Sequence, residues 1–164
     1  MDLICGWYVA NSIIGESFKD KIFITPLKLN ILIYLLYSNY LFKTGNKLFN
    51  ELFIKTKNVP ILPSVEFKFG CYKNKIITDF AKDSLGKIYM VNSSYFNECL
   101  SYIWDNYKYM DDYELLLLIS KMDVISQIKE NGILSDADIL DNEIEVNSVI
   151  LKRAKQNRKR FIGC

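Results

Sequence analysis

Residues 25–49, TPLKLNILIYLLYSNYLFKTGNKLF, leave the fewest choices for the fold. Thr25 offers a side-chain oxygen to cap a helix, and Pro26 suits the first helical position, where its missing N–H is not needed. From Leu27 onward almost every residue is apolar, so a helix drawn through them has no wet face. The run stops at Thr44-Gly45, a helix-ending pair, and Lys47-Leu48-Phe49 follows. Its uninterrupted apolar part, Ile31 to Tyr37, is too short to cross a bilayer. The helix is therefore expected to be a buried post with the other elements wrapped around it.

Composition supports one such core. The chain has 164 residues, the size of one ordinary domain, and is 50% hydrophobic and 24% charged. A single domain over residues 1–164 is the simplest organisation; no repeat, low-complexity tract or Gly/Ser linker divides it. With 21 basic and 19 acidic side chains the net charge is +2, so any attraction to nucleic acid or to an anionic membrane has to be local. Histidine is absent, which removes Ser-His and Cys-His nucleophilic pairs and mixed Cys/His zinc sites. The four cysteines, Cys5, Cys71, Cys99 and Cys164, form no CxxC and no zinc-ribbon spacing. Cys5 and Cys99 read as small core residues, and the whole pattern as a reduced, cytoplasmic protein. No leader-like segment is expected, since Asp2 spoils a basic start.

Around the rod, helical spacing of Trp7, Ala10, Ile13, Ile14 and Phe18 predicts a first helix over residues 3–18. Leu52-Phe53-Ile54 with Thr56 predicts a short strand. Pro60 and Pro63 make residues 58–63 an extended connector that cannot be a central strand. Residues 64–69 give one or two helical turns stopped by Gly70. Lys75-Ile76-Ile77 and residues 87–91 are candidate strands around a turn at Gly86. Ser93 or Ser94 opens a helix to Tyr107 with Phe96, Leu100, Ile103 and Trp104 facing inward. Asp111 to Glu114 resembles a capping box. It starts a helix through Leu115–Leu118 and Val124–Ile128 that ends at Gly132, and the four consecutive leucines predict another buried element. A last, basic helix is predicted over about residues 142–161. The fold class is mainly α, a bundle around the buried helix with a small antiparallel hairpin or sheet; α+β is the second choice.

Val9-Ala10-Asn11-Ser12-Ile13-Ile14 resembles the first-helix pattern of the SocA-like antitoxin family, also called the Panacea domain. Leu27-Lys28-Leu29-Asn30, then Leu32, Tyr34, Gly45, Leu48 and Phe49, is similar to its second-helix pattern LKLQKLLYF and the Gly-x-x-Leu-Phe step after it. Val59-Pro60-Ile61 stands where the family has a Gly-Pro-Val turn, and Tyr113-Glu114-Leu115 resembles its Glu-Leu step. The family's second-helix lysine is Ile31 here, and its Thr-His pair falls near Ile119 and Ser120. The resemblance implies an antitoxin that binds and neutralises another protein without catalysis, and hence no cofactor. A phage or mobile-element inhibitor of a host defence nuclease is the alternative, and a nucleic-acid-binding regulator acting through the basic C-terminal helix is a further one.

Two segments are candidate contact surfaces. Trp104 to Tyr113 clusters Tyr107, Tyr109 and Met110 beside a helix break, where such side chains bury large area at little entropic cost. The other reading puts Trp104 and Tyr113 in the core and leaves the rest lining a loop. The second candidate is the basic run Lys152, Arg153, Lys155, Arg158, Lys159 and Arg160. It suits phosphate or an acidic partner, and equally a solvated helix end that complements the dipole. The acidic pairs Asp111/Asp112, Asp136/Asp138 and Glu143/Glu145 sit at helix starts, as capping requires, and lack calcium-loop spacing. No glycine pattern supports nucleotide binding.

Overall fold

The computed structural model describes residues 4–57 and 59–141. The predicted basic helix, Glu143, Glu145 and Cys164 lie outside the described residues, as do Lys152, Arg153, Lys155, Arg158, Lys159 and Arg160.

Seven α-helices and a three-stranded antiparallel sheet make up the described chain. The helix α1 spans Gly6–Asp20 and α2 spans Pro26–Thr44. Every residue of α2 from Lys28 to Asn39 is buried, which covers all sides of more than three turns. The reason is compositional: with no polar stripe, exposure of any face leaves apolar area in water at about 25 cal/mol per Å². Thr25 caps α2 by accepting the Lys28 N–H at 3.3 Å, and Gly45 ends it in the left-handed region at φ 70°.

Strands β1 (Phe53–Thr56) and β2 (Val59–Ile61) form a hairpin, and β3 (Ile133–Leu134) pairs with the other edge of β1. The register places Lys55 opposite Pro60. Lys55 directs its backbone away from β2, donating to Gly132 O at 2.9 Å and accepting from Asn131 N at 2.8 Å. Pro60 therefore sits where no N–H is required, on an edge strand. Tyr34, Tyr37, Phe49 and Phe53 pack α2 onto this sheet with ring centroids 4.7 to 5.9 Å apart.

Helix α3 (Pro63–Phe69) runs into a 3₁₀ turn at Gly70–Tyr72. Helix α4 (Ser94–Tyr107) lies along α2 with Phe96, Leu100, Ile103 and Trp104 buried, as the spacing predicts. Then come α5 (Asp112–Ser120), α6 (Asp123–Gln127) and α7 (Asp136–Asp141). Tyr37 ties α7 to the rod, its hydroxyl donating to Asp136 Oδ1 at 2.6 Å. Among the described residues no helix is long and apolar enough to cross a membrane.

Three expectations are corrected. The strands predicted at 75–77 and 87–91 do not form; residues 75–93 run as an irregular strap. Its middle and end bond to side chains of α1 instead of to a partner strand, while Ile77 N donates to Ile24 O at 2.8 Å and Asp83 N to Lys87 O at 2.9 Å. The buried Asn11 amide donates to Ala81 O (2.9 Å) and Tyr89 O (3.0 Å) and accepts from Ala81 N (2.9 Å). Ser12 Oγ accepts from Val91 N at 2.9 Å. The helix predicted from Leu115 through Ile128 breaks at Lys121-Met122. At about 100° per residue a straight helix sets Val124 some 200° from Met122; both are buried, and only the break turns both inward. The leucine run is also half wrong, since Leu115 alone is buried and Leu117 faces solvent.

Candidate functional site

The segment joining α4 to α5 rests on the first turn of α2, and a cleft of about 500 Å³ opens between them. Its floor is a clamp. Lys28, on the buried rod, donates from Nζ to Lys108 O at 2.7 Å and to Met110 O at 2.6 Å. Residues leaving a helix have backbone carbonyls with no partner in the helix, and an ammonium satisfies two of them here. Burial pushes the Lys28 ammonium below its ordinary 10.5, against the opposing pull of Asp112, Asp111 and Glu114. That pull, together with the two carbonyls, fits an ammonium used as a cross-brace, not a free amine poised for attack.

Beside the clamp two helix starts are joined. Thr25, the cap of α2, donates its hydroxyl to Asp112 Oδ2 at 2.6 Å. Asp111 caps α5, its Oδ1 accepting the Glu114 N–H at 2.8 Å. Neighbouring acids thus do two structural jobs, as capping predicts. On the other flank Asp20 accepts from Trp104 Nε1 at 2.8 Å and lies 3.3 Å from Lys108 Nζ. The Trp104 bond, then that of Lys108, lowers the Asp20 carboxyl below its ordinary value. Burial pulls Lys108 down, but the Asp20 bond and the nearby Asp105 outweigh it and leave Lys108 raised.

The rim is aromatic and wet. Tyr109 is 76% exposed, Tyr113 69% and Phe23 50%. Lys108 Nζ lies 5.4 Å from the Tyr109 ring centre. Of the three candidates from this segment, Tyr109 alone presents its side chain outward. Tyr107 is fully buried and Met110 nearly so, which corrects their reading as contact residues. The signal for Tyr107 was available, since it stands four residues after Ile103 on the inward stripe of α4. Tyr113 is a rim residue, not a core one, while Trp104 is core as the other reading had it. Phe23 and the Lys28 clamp were missed. A lysine in the first turn of an apolar rod was the available sign of the second; nothing local marks the first.

No family model, curated protein or solved structure matches this chain. The functional reading therefore rests on the residues themselves. Among those described, no cluster of three acids or cysteines is placed to hold a metal ion. Asp136 bonds Tyr37 and pairs with Lys47 at 3.2 Å, and Asp138 accepts from Ser135.

Proposed function

We propose that the protein is a non-enzymatic binding module of the cytoplasm that occludes a surface of a partner protein, a toxin in the leading reading. The observation that carries this is the triad of exposed aromatics, Phe23, Tyr109 and Tyr113, around a cleft whose base is locked. Aromatic side chains concentrate binding energy because they bury large area with few rotors to freeze. The base beneath them is braced by Lys28 and by the Thr25–Asp112 bond, so little backbone entropy is lost on docking. Asp111 and Asp112 at the same rim oppose phosphate, and the two lysines of the lining are engaged, Lys28 by two carbonyls and Lys108 by Asp20, which sets this face against a nucleic-acid ligand. A host defence nuclease is the alternative partner, met through the same face.

The test is co-expression with each reading frame flanking the gene, scored as growth. One flanking product should arrest growth alone and be silenced by the wild-type chain. A Phe23→Ala/Tyr109→Ala/Tyr113→Ala variant should fail to silence it while keeping its melting temperature, since exposed substitutions move stability by about 0.5 kcal/mol or less each. Silencing by the triple variant removes this face from the account. Absence of any toxic or co-purifying neighbour sinks the antitoxin reading.

A further inference from the structure

A second cleft, of about 680 Å³, lies on another side of the rod. Its floor is apolar: Leu27 from α2, Val59 and Ile61 from β2, and Leu116 from α5. Lys57 and Lys73 also line it, from two separate loops. Neither ammonium has an acidic partner among the described residues. Glu66 is the one acid in the lining, and its carboxylate folds back over Gly70, 2.7 Å from where a Cβ would stand.

The backbone at the two lysines is unusual. Only four non-glycine residues in the described chain have positive φ, and Lys57 (49°) and Lys73 (54°) are two of them. Glycine or asparagine holds such conformations with less strain. At Lys57 the two-residue hairpin between Thr56 and Val59 calls for this conformation, and at Lys73 the end of the 3₁₀ turn does; both turns carry a lysine where glycine or asparagine would hold the backbone more easily. Both lysines line one apolar cleft, and among the described residues neither ammonium is ion-paired, Glu130 Oε1 accepting only the Lys57 backbone N–H at 2.8 Å.

We propose that this cleft binds a small carboxylic acid with an apolar acyl or aryl body. The body lies on Leu27, Val59, Ile61 and Leu116, and Lys57 and Lys73 receive the carboxylate. The cleft volume is in the range of small-molecule sites, about 300–1,000 Å³. An added peptide strand is a poorer occupant. The outward edge of β2 offers no donor row, because Pro60 has no N–H and Leu62 N already donates to Asn30 Oδ1 at 3.4 Å. This site shares no side chain with the aromatic rim, so it stands or falls separately from the partner-binding reading.

Methyl-labelled full-length chain titrated with octanoate, 4-phenylbutyrate and naphthalene-2-carboxylate, each beside its neutral alcohol, tests the site. At least one acid should saturate, shifting the methyls of Leu27, Val59, Ile61 and Leu116, and bind about tenfold or more tightly than its alcohol, the effect of roughly one charge-assisted bond. Lys57→Gly/Lys73→Gly should reduce that acid to the affinity of the alcohol, with a melting temperature at or above wild type because the strain is gone. Lys57→Arg/Lys73→Arg should keep the preference for the acid, and Glu66→Gln should strengthen it. No shift at these methyls with any of the three acids at about 10 mM overturns the proposal. So does equal affinity for acid and alcohol, saturation at other methyls, or an acid preference that survives the glycine variant.

Discussion

Replacing Lys28 by methionine isolates the brace beneath the proposed binding face. Methionine keeps most of the aliphatic stem, so no large cavity opens in the rod. The loss is electrostatic. Lys108 O and Met110 O, now bonded at 2.7 and 2.6 Å, are left without the ammonium. A stranded buried acceptor costs about 1–3 kcal/mol, hence about 2–6 kcal/mol for two. Part of this is offset, because burial already disfavours the charged lysine. A net destabilisation of about 2–3 kcal/mol is expected, or about 5–10 °C in melting temperature for a domain of this size. The pH dependence has a definite sign. Lys28 has its folded pKa below 10.5 and regains 10.5 when unfolded, so just below 10.5 the unfolded chain holds more protons. Stability from this group therefore rises as pH climbs through that window, and the gap between wild type and Lys28→Met should widen. Urea melts at neutral and alkaline pH, with amide exchange at residues 108–114, read both effects. A variant as stable as wild type, with unchanged exchange at 108–114, would refute the idea that the ammonium holds this segment.

Asn11→Ala removes the amide that serves Ala81 and Tyr89; faster amide exchange across residues 79–91 and a loss of about 2–4 kcal/mol are expected, three buried or half-buried backbone groups being left unbonded. Tyr107→Ala should cost about 3–5 kcal/mol by chemical denaturation, as a fully buried aromatic, whereas Tyr109→Ala should leave the midpoint in place. Asn39→Ala should raise stability by about 1 kcal/mol or more, because this residue is buried and its amide N and O find no partner among the described residues; a lower urea midpoint would show that the amide does find one. Asp20 is held below its ordinary 3.8 by Trp104 and Lys108, so its contribution is present above that value and fades as pH falls through the lower folded one; Asp20→Asn should flatten the acid limb of a pH-stability curve there.

What was legible in the sequence was local. Thr25, Pro26 and Gly45 bound α2 where the capping rules put them, and the lack of a polar stripe foretold its burial. The inward face of α4 followed from a spacing of three and four. The failures share one cause. Apolar side chains run through residues 75–77 and 87–91, but the hydrogen bonds that decide strand from strap come from distant parts of the chain: Ile77 N donates to Ile24 O, and residues 81, 89 and 91 bond Asn11 and Ser12, about 70–80 positions earlier. Likewise Ile133-Leu134 becomes a strand only because β1 has a free edge, a fact fixed by tertiary placement. The candidate face divides in the same way. Tyr109 sits just past the end of a helix, so its exposure is a local inference; Phe23 joins it only through the packing of α2 against the α4–α5 segment.

The same packing explains why a charged residue is kept among the buried positions of the rod. An aliphatic side chain at position 28 would bury as well and carry no desolvation penalty, but it could not satisfy the carbonyls of residues 108 and 110. Those carbonyls belong to the stretch that ends α4 and must turn before α5 starts, where no helical partner is within reach. Water could serve them only if the stretch lifted from the rod, and lifting it would let the Tyr109 backbone move. The ammonium removes that option, and the Thr25–Asp112 bond pins the next residue but one after Met110 to the same turn of α2. The outcome is an exposed tyrosine pair on a backbone fixed at both ends, an arrangement that costs folding stability at Lys28 and lowers the entropy lost when a partner docks.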